Sequence, residues 1–133
     1  MTMMALARRA LLALIAVVFV GLVLLHVVAP AETARNVGIV AVGVDGLNEL
    51  RAIYVGVWLA TAIIFAMAAR EQEDRTLYLV CTLLVAGQGF GRGVSIVLDG
   101  MPSSHMLPLF VGEVAGVLLL VLMRPRRVSA APR

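Results

Sequence analysis

The sequence predicts an all-α integral membrane protein: a four-helix bundle with both termini cytoplasmic. Three observations predict it. Hydrophobic residues fill 62% of the 133 positions and charged residues only 14%, with mean hydropathy +1.02. A soluble domain has roughly 45–50% apolar and roughly 25% charged residues, so the bilayer must solvate most of this chain. Four apolar runs of near-spanning length or more follow one another, separated by short polar breaks. All 11 basic residues are arginines, set near the ends and between the apolar runs. That distribution argues against a nucleic-acid stripe and for lipid headgroups and the positive-inside rule. The length fits a single membrane domain over residues 1–133.

The first predicted helix covers about residues 10–29. Ala10 to Ala29 is apolar except for His26, follows Arg8 and Arg9, and at roughly 1.5 Å per residue crosses a core of about 30 Å. Ala29-Pro30-Ala31 has the small-x-small form of a signal cleavage site, but the apolar run exceeds the roughly 7–15 residues of a signal core. An uncleaved span is therefore expected. Residues 32–46 mix Pro, Glu, Thr, Arg and Asn with the β-branched stretch Val37–Val44, too short to span, and read as an ordered loop lying at the interface. Asp45 or Asn48 is the expected cap of the second helix, about residues 47–69.

Arg70–Arg75, REQEDR, is the one dense charge run and reads as a solvated hairpin. The third helix is predicted over about residues 76–98, and Gly100-Met101-Pro102-Ser103-Ser104 carries turn chemistry. The fourth covers about residues 107–123 and leaves a flexible arginine-bearing tail over residues 124–133. Arg8 and Arg9 at one end and Arg124, Arg126 and Arg127 at the other put both termini in the cytoplasm, which requires an even number of spans. The REQEDR hairpin is then cytoplasmic, and the 32–46 loop and the 99–104 turn face outward.

This topology gathers the ionisable residues in the outward half. His26 ends the first helix, Glu49 and Arg51 begin the second, and Asp99 closes the third. Arg92 and Glu113 each lie roughly 9 Å inside the boundary. Gln88, Arg92, Ser95 and Asp99 recur at intervals of four, three and four, which places them on one helical face. Small residues at Gly87/Gly91, Gly89/Gly93 and Gly112/Gly116 have the spacing that lets helices approach closely. A central Arg costs about 2.5–3.5 kcal/mol on insertion scales, so Arg92 needs a carboxylate, with Glu113 and Glu49 at matching depth.

Asn48-Glu49-Leu50-Arg51-Ala52 with Tyr54 and Gly56, then Gly91-Arg92, Ser95, Asp99-Gly100, Pro102 and Glu113, resemble the motifs of a family of small bacterial four-helix membrane proteins, domain of unknown function 4345. Where that family commonly has Tyr-Gly-Gly, this chain reads Tyr54-Val55-Gly56. The resemblance implies a four-helix fold in a bacterial plasma membrane and singles out the same polar residues; it brings no activity.

Two readings of the cluster stand side by side. In one, Arg92 with Glu49 and Glu113 is a structural ion network that fixes helix register. In the other it is a site for a lipophilic small molecule, with Gln88, Ser95, Tyr54, Trp58, Asn48 and His26 as binding residues. The catalytic version is an acid–base isomerase, cyclase or epoxide-opening enzyme on a prenyl, sterol-like or polyketide substrate. Glu113 would be its acid, Asp99 or Glu49 its base and Arg92 the organiser. The non-catalytic version is a lipid- or quinone-binding protein or an accessory subunit of a larger membrane complex. Expected partners are membrane lipids and a lipophile, with a homo-oligomer or a membrane complex as further options. No cofactor is expected. Cys81 stands alone, and His26 and His105 lack metal spacing, so no metal is expected either.

Overall fold

The computed structural model describes residues 3–104 and 106–125, and those residues form helices and connecting turns without a strand. Helix α1, Met3–Val28, buries one stripe: Arg8, Leu12, Ala16, Phe19, Val23 and His26. These recur every three or four residues, the period of one helical face. Helix α2, Pro30–Asn36, begins with a proline, whose missing N–H costs nothing in a first turn. Gly38 leaves it with φ +81°, and Gly43, with φ +63°, turns the chain into the next helix.

Helix α3 (Gly43–Arg51), a π-helical segment (Ala52–Val57) and helix α4 (Trp58–Arg70) run on as one rod, Gly43–Arg70. A tight turn leads to α5, Arg75–Asp99, whose N-cap Asp74 accepts the Leu77 amide at 2.9 Å. Such a cap satisfies one of the four amides a helix start leaves unpaired. Gly100, with φ +92°, stops α5, and α6, Leu107–Leu122, follows. Three rods, Met3–Val28, Gly43–Arg70 and Arg75–Asp99, are long and apolar enough to cross a membrane, and α6 is a shorter apolar helix.

Several boundaries differ from expectation. Helix α1 starts at Met3, so Arg8 and Arg9 lie inside it rather than before it. Much of the expected 32–46 loop is helical, leaving only residues 37–42 outside helices. Neither Asp45 nor Asn48 caps the second rod: the N-cap is Val42, with no side-chain bond. The positive φ of Gly43 makes the turn earlier, so both polar residues fall within the helix. Residues 126–133 of the expected flexible tail, Arg126 and Arg127 among them, lie outside the described residues, as does His105.

The core sits toward the 71–74 turn. Leu12 and Ala16 of α1, Phe65, Ala68 and Ala69 of α4, Tyr78 and Cys81 of α5, and Leu120 of α6 form one buried cluster. Polar bonds tie this end together. Arg8, 6% exposed, donates to Glu73 at 2.7 Å and to the Met123 carbonyl at 3.4 Å, while the Tyr78 hydroxyl donates to the Leu120 carbonyl at 2.9 Å. Away from this end the rods pair off. Helix α1 packs along α4 and the π segment, and α5 packs on α6; among the described residues no substantial packing joins α3 or the π segment to α5 or α6. The molecule is thus two helix pairs joined at the hairpin.

Candidate functional site

The far ends of the two pairs hold different chemistry. On the α5–α6 pair, Arg92 Nε donates to Glu113 Oε1 at 2.9 Å, with the side chains 35% and 13% exposed. Gly89 and Gly93 face α6 here, and a Cβ on either would make ordinary van der Waals contact. A Cβ on Gly89 would lie 3.5 Å from Glu113 Cβ and 4.0 Å from Oε2, and one on Gly93 would lie 3.9 Å from Phe110. Gly87 and Gly91, with nothing within 4 Å of the position a Cβ would take, do not serve this contact. Two residues along a helix is about 200° of rotation, so the first glycine pair points away from α6 when the second faces it.

The carboxylate is only half satisfied. Glu113 Oε2 is buried and has no hydrogen-bond partner, and among the described residues Arg92 engages Glu113 through Nε alone. A buried carboxylate oxygen without a donor is costly. The pair therefore leaves one enclosed carboxylate oxygen without a donor and, among the described residues, the outer two guanidinium nitrogens without an acceptor.

Around the helices from this pair, Ala86, Gly89, Phe90, Gly93, Phe110 and Val114 line part of an apolar groove of about 590 Å³ between α5 and α6. Gly89 belongs to both places: it borders the groove and lies beneath Glu113. One turn beyond Arg92, the Ser95 hydroxyl donates to Asp99 Oδ2 at 2.9 Å on the exposed face of α5. Gln88 is half-buried on the same face.

On the other pair, His26 sits 3% exposed. Its ring lies parallel to Tyr54 (centroids 4.8 Å, 9°) and edge-on to Trp58 (5.3 Å, 82°). Tyr54 and Trp58 also meet edge-on at 4.8 Å, and Trp58 meets Phe19 at 5.8 Å. Each such ring pair contributes about 0.5–1.5 kcal/mol beyond its burial. Because a carbonyl only accepts, the 2.8 Å bond to Leu22 O assigns the proton to Nδ1; Nε2 is buried without a partner. Tyr54 belongs to the π segment, and Trp58 is the first residue after it. Such wide turns often mark functional positions.

The residues expected in one cluster therefore separate into two. Arg92 joins Glu113, and His26 joins Tyr54 and Trp58. Glu49, Asn48 and Arg51 are exposed on α3, and no ion pair links Glu49 to Arg92 among the described residues. The divergence of the helix pairs away from the hairpin accounts for this, since matching depth brings side chains together only where the rods touch. Among the described residues no group of three or more His, Cys, Asp or Glu side chains is placed to hold a metal.

Sequence reasoning treated Arg8 only as a topological marker. Its signal was present: Arg8 continues the stripe Leu12, Ala16, Phe19, Val23 and His26 by one more step of four. The π segment had no comparable signal.

Apolar rods of spanning length, with an ion pair set within one helix pair, define a helical membrane protein with transmembrane segments. Residues 7–124 match the model of a domain of unknown function, DUF4345, and the chain belongs to that family. No curated protein and no solved structure matches it.

Proposed function

We propose that the protein is a four-span bundle with both termini cytoplasmic that binds an oxygenated lipophile in its outward half, through Arg92 and Glu113. The half-satisfied pair supports this reading. Glu113 Oε2 lacks a donor, and the outer nitrogens of Arg92 lack an acceptor among the described residues. A ligand's oxygen acceptor would bond the outer nitrogens of the more exposed Arg92, and a hydroxyl beside it would satisfy Oε2 once the Glu113 side chain turns outward, both with charge-assisted bonds. The apolar groove beside Gly89 fits its tail, because its walls offer hydrocarbon and hydrocarbon is what a lipophile buries.

Binding rather than turnover is the reading the geometry favours. Acid–base chemistry needs a second group within hydrogen-bond reach of the reacting atom. Among the described residues no hydrogen bond or ion pair links Asp99 or Glu49 to Arg92 or Glu113, and Glu49 is exposed on a rod of the other helix pair. The test is extraction and mass spectrometry of small molecules retained by detergent-purified protein. Wild type should carry a discrete oxygenated lipophile that Glu113→Gln and Arg92→Leu lose while keeping their helical circular dichroism. Equal occupancy in all three proteins would sink the assignment.

A further inference from the structure

A second groove, about 340 Å³, lies at the hairpin end of the molecule, between the start of α5 and the end of α6. It is remote in the fold from Arg92 and Glu113. Its rim carries Arg75 and Arg124, and its wall is apolar, with Leu79, Leu120 and Val121. Neither arginine has a carboxylate partner among the described residues, although the adjoining turn contains Glu71, Glu73 and Asp74. Two of those acids are engaged elsewhere: Glu73 by Arg8 and Asp74 by the amide of Leu77.

We propose that this groove binds an anionic phospholipid, Arg75 and Arg124 holding the phosphate and Leu79 and Val121 lying along an acyl chain. The two arginines of the groove support it, and the two helix ends largely offset each other. Helix α5 begins here, and its partial positive charge favours an anion; α6 ends here, and its unpaired carbonyls would repel one. Those carbonyls are partly covered. Tyr78 donates to Leu120 O and Arg8 to Met123 O, which blunts the negative end and leaves Arg124 free to face a ligand.

Because Asp74 occupies the Leu77 amide, the phosphate would be held by the two guanidinium groups rather than by the helix start. Arginine suits this role, since its planar fork matches phosphate oxygens two at a time. The apolar wall is what selects a lipid over free phosphate. Leu79 and Val121 are 56% and 47% exposed, a strip of hydrocarbon leading away from the charged rim along both helices.

Native mass spectrometry of the full chain, released from phosphatidylcholine nanodiscs containing a minor fraction of phosphatidylglycerol, tests this. Each basic side chain near an anionic surface contributes enough for about a five-fold preference, so two predict roughly 30-fold enrichment of one phosphatidylglycerol over phosphatidylcholine. Arg75→Gln/Arg124→Gln should abolish the enrichment. Arg70→Gln, an exposed arginine at the same end that does not line the groove, should keep it. Size-exclusion profiles and helical circular dichroism confirm that each variant is folded. Enrichment that survives the double substitution, or that falls as far in Arg70→Gln, overturns the proposal. So does displacement of the lipid by excess inorganic phosphate, which would make the site one for free phosphate.

Discussion

Removing either member of the Arg92–Glu113 pair should cost more than removing both. Breaking a fully buried ion pair costs about 3–5 kcal/mol, and an exposed one about 0–1. This pair lies between, with Glu113 13% and Arg92 35% exposed. Arg92→Leu strands the more enclosed partner, whose second oxygen already lacks a donor, so about 2–3 kcal/mol is expected. Glu113→Leu strands a long side chain seven residues, or about 10 Å, from the end of its helix. That chain can extend toward the interface, which limits the loss to about 1–2 kcal/mol. The double Leu variant trades two desolvated charges for hydrocarbon and should unfold within about 1 kcal/mol of wild type. The measurement is reversible unfolding by sodium dodecyl sulfate in mixed micelles, followed by circular dichroism. A coupling of about 3 kcal/mol is the expected result. Additive losses, with the double variant as unstable as the two singles summed, would show that the charges do not interact and would refute the argument.

Three further outcomes follow from contacts elsewhere. Arg8→Gln should lower stability by about 1–3 kcal/mol through Glu73 and Met123 O, whereas Arg9→Gln, at an exposed position, should change it by less than about 0.5; equal effects in the same unfolding assay would discount the buried tie. His26→Ala should shift the emission of Trp58, the single tryptophan, to longer wavelength, and His26→Phe should largely preserve it by keeping a ring against Tyr54. An unchanged spectrum in the alanine variant would contradict that packing. Gly46→Ala places a Cβ 3.2 Å from the Ala41 carbonyl carbon, while Gly91→Ala meets nothing within 4 Å. The first should destabilise by about 1–3 kcal/mol and the second stabilise by about 0.5–1 kcal/mol, so unfolding midpoints moving in the same direction would count against the local geometry.

Apolar run length made the helices legible, because hydrocarbon thickness sets how many residues a span needs. Leu107–Leu122 and Arg75–Asp99 fall within a residue or two of expectation. The pairing of Arg92 with Glu113 was legible for a related reason: both were placed at the same depth by a shared turn, and an arginine in a span requires a partner. Glu49 shows where depth alone fails. It reports height along the membrane normal and says nothing of lateral separation, which depends on how far two rods diverge. Cap chemistry misled at Asp45 and Asn48 because Gly43 could take a positive φ and start the helix earlier. Tyr54 and Trp58 were expected among the binding residues and do meet, but the wide turn that carries Tyr54 left no mark in the local composition.

Helix α6 has 16 residues, about 24 Å of rise, against about 39 Å for the 26 residues of α1. Under the four-span reading, this shortest rod falls some 6 Å below a hydrocarbon layer of about 30 Å. Hydrophobic mismatch of that kind is relieved by local thinning of the bilayer around the short element. The headgroup region would dip toward α5 and α6, so the water boundary near Glu113 is set by the 16-residue helix and not by its longer neighbours. The ion pair would then work in a shallower, more polar layer than a flat membrane implies, and lipids of different chain length should tune it.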